Sequence, residues 1–161
     1  MIKVRYVAIS ISKDSITNMG YSFLENEATA DVAFEAWGND LAEVFKAVAD
    51  AVVAVMVENP DEISPRETKA MEIEDDRLDM LLYNFIERIV FLKDAQHFLG
   101  NVEVQSVASS RGKWHVSAQE SGEQVDPVRH HQGIDVKAVT LHAFRIEEIA
   151  NGWRAHIVLD V

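Results

Sequence analysis

The sequence predicts an α+β fold, with two long helices packed on a mainly antiparallel sheet or pair of sheets. Three observations predict it. Apolar residues recur at three- and four-residue spacing over 40–57 and again over 76–93, strand-like stretches precede, separate and follow these segments, and an Asn151-Gly152 pair divides the last two stretches. With 161 residues of which 48% are hydrophobic, the chain is long enough for one well-buried core, so a single domain over 1–161 is expected.

Ile2 to Ser12 is rich in β-branched residues and ends at the polar run Lys13-Asp14-Ser15, which reads as a strand or an N-terminal extension over the first twenty residues. From Thr29 to Trp37 the pattern alternates, with Val32, Phe34 and Ala36 on one face and Asp31 near the start. Gly38 and Asn39 stop this strand, and Asp40 with Glu43 three residues later gives a capping-box signal for a helix to about Val57. Leu41, Val44, Phe45, Val48, Val52, Val55 and Met56 form its apolar stripe.

The segment Asp61 to Asp79 holds eight acids against three bases, and is expected to be a solvated loop with a short strand near Met71 to Ile73. A second helix follows from about Asp76 to Lys93, with Leu78, Leu81, Leu82, Phe85, Ile86 and Ile89 on one face, acids at its start and Lys93 at its end. Strands are expected over Phe98 to Ala108, Lys113 to Glu120 after a turn at Arg111-Gly112, Val136 to about Ile149, and Trp153 to Val161. Asn151-Gly152 suits a type I′ hairpin turn, because both residues tolerate positive φ.

The formal charge of -12 argues against stable binding to a phosphate backbone, which depends on Lys and Arg displacing counterions; a basic protein or a cation is the expected partner. The absence of cysteine excludes disulfides, thiolate metal sites and a Cys nucleophile. The N-terminal residues lack the apolar run of a secretory signal, and the longest apolar stretch, Ala47 to Val57, is too short to span a bilayer. No membrane association and a cytoplasmic location are therefore expected.

If the strand from Thr29 runs antiparallel to the last one, Asp31 and Asp160 approach each other. Paired carboxylates call for something positive between them, either a Lys or a hard divalent cation such as calcium, magnesium or manganese held by oxygen ligands. Lys137, in the apolar tract Val136 to Val139, is the candidate amine, and the carboxylate of Val161 a candidate further ligand. The pair His130-His131 suggests zinc, but no Cys or HExxH spacing accompanies it. Asp126 with His130 forms a candidate acid/base pair without a marked nucleophile, and the seven scattered glycines make no phosphate loop. His142 and His156 read as strand-face residues with satisfied hydrogen bonds.

Four blocks then resemble the archeases, in order and spacing from about Tyr21 to Val161: Thr29-Ala30-Asp31-Val32 with Glu35-Ala36-Trp37-Gly38 before a helix; Gly122-Glu123 through Asp126-Pro127-Val128-Arg129-His130; Val136-Lys137-Ala138-Val139-Thr140-Leu141-His142; and Trp153 through Leu159-Asp160-Val161. Two departures are Ala28, where the family usually has His, and Leu141, where Tyr is common. The resemblance implies a non-catalytic accessory protein of the GTP-dependent tRNA-splicing RNA ligase, which joins tRNA halves through a 2′,3′-cyclic phosphate or 3′-phosphate end. It would accelerate ligase guanylylation and allow multiple turnover. It also implies that Asp31 and Asp160 are metal-site carboxylates, with Val161 as a further ligand, Lys137 as the functional lysine and calcium as the first choice of ion. A chaperone-like interaction module and a metal-dependent phosphoester hydrolase using Asp126 and His130 are the alternatives.

Overall fold

The computed structural model describes residues 18–25 and 31–161. The expected strand Ile2 to Ser12, and Ala28, lie outside the described residues. Strand β1 (Gly20–Leu24) pairs antiparallel with β2 (Val32–Gly38), placing Phe23 opposite Phe34 with their rings edge to face at 6.0 Å. After Gly38 the chain enters α1 (Leu41–Met56), capped by Asp40, whose carboxylate accepts from the Glu43 N–H at 2.9 Å. The reciprocal arm lands one residue early: the Asn39 N–H donates to Glu43 Oε2 at 2.7 Å.

Helix α1 is buried on more of its circumference than its apolar stripe requires, because Ala47, Ala49 and Ala51 are buried as well. Ala47 and Ala51 lie on one flank of the stripe and Ala49 on the other, and α1 touches β1, β2, β4 (Phe98–Ser110) and β8 (Gly152–Asp160). Helix α2 (Leu78–Gln96) buries Leu81, Leu82, Phe85, Ile86, Ile89, Val90 and Leu92. It ends at His97, whose φ of 50° is left-handed and whose N–H bonds back to the Leu92 carbonyl.

One sheet has the order β1-β2-β8 (Gly152–Asp160), with β6 (Ala138–Val139) and β7 (Arg145–Ile149) successively along the far edge of β8. The single strand expected over Val136 to Ile149 is thus two. Val139 pairs with Leu159 and Arg145 with His156, so six steps on one strand answer three on the other. The excess forms a turn closed by the Phe144 N–H on the Leu141 carbonyl, with Ala143 at φ 53°. It delivers Phe144 against Tyr83 of α2 at 5.9 Å, which is the packing that the interruption secures.

The second sheet has the order β3-β5-β4, from β3 (Glu67–Asp75), β4 (Phe98–Ser110) and β5 (Lys113–Gln124). Strand β3 corrects the sequence expectation of a loop with a short strand. Its outward residues Glu67, Glu72 and Glu74 are exposed and only Met71 is fully buried, so an edge strand looks like a charge run. Strand β5 outruns the expected end at Glu120, because Gly122 packs directly against the backbone of β4. The β4–β5 turn has positive φ at both Arg111 (54°) and Gly112 (77°), the type I′ signature. The β7–β8 hairpin forms where expected but with another turn, since Gly152 alone takes positive φ (145°) and Asn151 does not.

Both helices and both sheets contribute to one hydrophobic core. The lengths also fix what lies at each end of the molecule. The seven residues of β2 rise roughly 23 Å, and the 16 of α1 roughly 24 Å in the return direction. Met56 therefore comes back to the end of the sheet where β2 begins and β8 finishes.

Candidate functional site

Strands β2 and β8 are antiparallel neighbours, in register from Gly38 opposite Trp153 to Val32 opposite Leu159. The next residue on each strand is a carboxylate, so Asp31, half-buried, stands beside Asp160, exposed, and opposed residues of an antiparallel pair share a face. From the other edge of β8, Ala138 pairs with Asp160 and the Lys137 N–H donates to the Asp160 carbonyl at 2.9 Å. The structure thus brings Asp31 and Asp160 together at one corner, with Val161 next along the chain and Lys137 joined to it through its backbone. No ion pair within 4.0 Å joins Asp31, Asp160 or Lys137 to another described residue.

Lys137 is exposed, and its delivery is anchored from α2. Lys93 Nζ reaches Asp135 Oδ1 at 2.6 Å, Asp94 Oδ1 at 2.8 Å and the Val136 carbonyl at 3.2 Å, while the Val139 N–H donates to Glu87 Oε1 at 2.9 Å. Lys93 holds the Asp135 carboxyl below the ordinary carboxylate range, with a smaller contribution from Lys137. Upstream, the N–H groups of Gly133 and Ile134 bond to the carbonyls of Met56 and Val55 at the end of α1, at 2.9 and 2.8 Å. The crossover from β5 to β6 is therefore tied to both helices before it reaches the corner.

The same crossover contains a buried ion network. Glu123, 5% exposed, and His130, fully buried, meet through Glu123 Oε1 and His130 Nε2 at 2.7 Å. The Asp126 backbone N–H donates to His130 Nδ1 at 2.8 Å, so Nδ1 carries the lone pair and Nε2 the proton it gives to Glu123. Arg129 donates to the same carboxylate, Arg66 Nε to its other oxygen at 3.1 Å, and the Ser64 N–H at 3.1 Å. Arg129 first, then the Ser64 amide and His130, hold the Glu123 carboxyl down at about 2.

This network corrects the expected Asp126–His130 acid/base pair. The Asp126 carboxylate instead accepts from the Val128 N–H at 2.9 Å, and His130 is sealed from solvent. The adjacent His130 and His131 follow the turn 127–129, and His131 is exposed; among the described residues no three of His, Cys, Asp or Glu converge as metal ligands. His142 lies in the turn before β7, while His156 keeps a strand-face position with Nδ1 2.8 Å from the Ala143 carbonyl. Sequence reasoning missed Glu123 as the partner of His130, although both lie in the Gly122 to His130 block. Elsewhere, Glu120 is 1% exposed with Oε2 unpartnered, and burial pushes its carboxyl up to about 8 against the opposing effect of Lys69.

Residues 21–161 match the model of the Archease protein family (MTH1598/TM1083). The chain belongs to the archease family. Archeases similar to it include those of Pyrococcus abyssi, 34% identical, and Thermococcus gammatolerans, 36% identical, each over 84% of this chain and 95% of the relative. The solution structure of Methanobacterium thermoautotrophicum Protein 1598 superposes with a TM-score of 0.77 at 28% identity, covering 88% of this chain and 99% of that one. A Thermotoga maritima protein described as an archease, possible chaperone, shares the fold with a TM-score of 0.50 at 16% identity, over 86% of this chain and 96% of that one. Archease membership thus covers the corner, both sheets and both helices. No described helix is long and apolar enough to cross a membrane.

Proposed function

We propose that this archease activates the GTP-dependent tRNA-splicing RNA ligase, promoting ligase guanylylation and multiple turnover through its acidic corner without catalysing a reaction itself. The observation that carries the proposal is the β2–β8 register, which sets Asp31 beside Asp160 with the Lys137 backbone bonded to the latter. Adjacent carboxylates with no neutralising ion pair among the described residues fit a hard divalent cation, calcium first and magnesium or manganese next. Asp31 and Asp160 would hold the ion, with Val161 adjoining. A bound cation would supply positive charge and open coordination positions for phosphate or carboxylate oxygens.

The residues themselves do the rest. The exposed Lys137 presents a second positive group beside the corner, suited to a triphosphate or a developing phosphoryl charge. The net charge of -12 steers the protein toward a basic RNA-binding enzyme. In the cytoplasm, where such a ligase meets tRNA halves, the chain would act as a protein partner with no direct stable grip on RNA. The test is guanylylation of purified ligase with labelled GTP, with wild-type, Asp31→Ala or Asp160→Ala protein added. Both variants should lose activation while remaining folded, and undiminished activation by both overturns the proposal.

A second reading, a chaperone-like interaction module, draws support from the description of the Thermotoga maritima relative. It requires binding to several unrelated clients that is indifferent to Asp31 and Asp160.

A further inference from the structure

The turn 126–131 is held far more tightly than a surface turn needs. Its backbone closes on itself through the Arg129 and His130 N–H groups, both donating to the Asp126 carbonyl at 3.2 and 2.7 Å. The Asp126 carboxylate takes the Val128 N–H, and His130 and Arg129 are clamped on Glu123 beneath. Arg129 Nη1 also donates to the Glu62 carbonyl at 3.1 Å. Asn59 bridges the turn from the side, giving Nδ2 to the Arg129 carbonyl at 3.3 Å and taking the His131 N–H at 3.1 Å. Nothing on the outside of the turn requires this, because Val128 at its tip is 89% exposed.

A fully exposed aliphatic side chain is unremarkable on a loose loop. On a loop immobilised from below by a buried Glu–His–Arg network it is a preorganised contact, whose ordering cost has been met before any partner arrives. Exposed acids lie in the turn and in the segment to which it is bonded, Asp126 in the first and Glu58, Asp61 and Glu62 in the second. The Glu58 N–H donates to the His131 carbonyl at 2.8 Å, just past the end of α1. By the lengths of α1 and β2, that is the same end of the molecule as Asp31, Asp160 and Lys137.

We infer that Val128 is a docking knob, which seats in an apolar pocket rimmed by Lys and Arg on the partner that the carboxylate corner serves. The inference rests on the ligase reading above and names the surface it uses. The apolar tip gives the pocket its contact and the acidic surround selects a basic rim. Val128 sets affinity, and the corner sets what the bound pair can do.

The experiment is titration of fluorescently labelled full chain into purified ligase, read by anisotropy, alongside guanylylation. Val128→Glu changes a side chain that is 89% exposed and keeps the backbone N–H that the Asp126 carboxylate accepts, so the fold is retained. It should weaken binding about tenfold or more, with activation recovered at saturating concentration. Val128→Ile should bind like wild type, and Asp31→Ala should bind normally without activating. Wild-type affinity of Val128→Glu overturns the inference and leaves the ligase reading standing. No binding by the wild-type chain overturns both. Sedimentation showing a wild-type dimer that Val128→Glu dissolves assigns the knob to a second copy of the chain, and also overturns it.

Discussion

The backbone N–H of Lys137 donates to the carbonyl of Asp160 over 2.9 Å, and the opposite edge of the same strand receives β2 just after Asp31. A strand thus supplies one carboxylate of the corner and hydrogen bonds to the two segments that bring the others. The relative placement of the three residues depends on ladder register rather than on loop conformation, which favours a preset site.

On the proposed reading, Asp31→Ala and Asp160→Ala should each weaken calcium binding, measured by isothermal titration, by about tenfold or more, since each would remove one of few carboxylate ligands. Their unfolding free energies from urea curves should change by no more than roughly 0.5 kcal/mol, as expected for substitutions outside the core. Calcium affinity unchanged in both would remove the corner as a cation site.

His130→Ala should cost about 1–3 kcal/mol in urea unfolding, because the Asp126 N–H and one Glu123 oxygen lose their buried partner. Hydrogen exchange should quicken first at the amides of 126–131. Exchange there no faster than in wild type would show that Arg129 and Asn59 hold the turn unaided.

Glu120 sets a pH dependence of known sign. Its folded carboxyl titrates near 8, above the ordinary 4.5. Between those values the native state binds more protons than the unfolded one, so stability is fully present below the lower value and falls as pH rises toward the upper. Glu120→Gln should abolish that decline, gaining on the order of 3 kcal/mol over wild type at pH 8 relative to pH 5. Parallel urea curves at pH 5, 6.5 and 8 test this, and an equal difference at all three would show that Glu120 ionises normally.

Gly122→Ala should be severely destabilising. Gly122 faces Gly100 across the ladder, and a Cβ there would lie 1.8 Å from the Leu99 carbonyl oxygen. The β4–β5 backbones must separate to admit it, at a cost of about 3 kcal/mol or more. A thermal midpoint within two or three degrees of wild type, about the shift of a sub-kcal/mol change, would contradict the close approach.

Where one physical signal dominated, the fold was legible. The α1 start followed from Asp40 and Glu43, and the stripe from Leu78 to Ile89 marked α2, because both depend on local spacing. The antiparallel meeting of β2 and β8 was legible only as a condition, since no local pattern says which strands pair. Strand β3 was hidden because an edge strand with acids outward has little apolar content. The break between β6 and β7 was hidden because its cause, the seating of Phe144 on Tyr83, is a tertiary contact. The Glu123–His130 bond lay within one block, yet an alternating strand followed by a turn gives no periodicity from which to infer it.

Strand β8 lies between β2 on one side and β6 and β7 on the other, and it follows all of them along the chain. During synthesis the two halves of that sheet are both made before the strand that joins them, so the earlier strands wait with open edges for a long-range closure. The carboxylate corner is completed by that last insertion, and a newly made chain acquires it only once the whole sheet has closed.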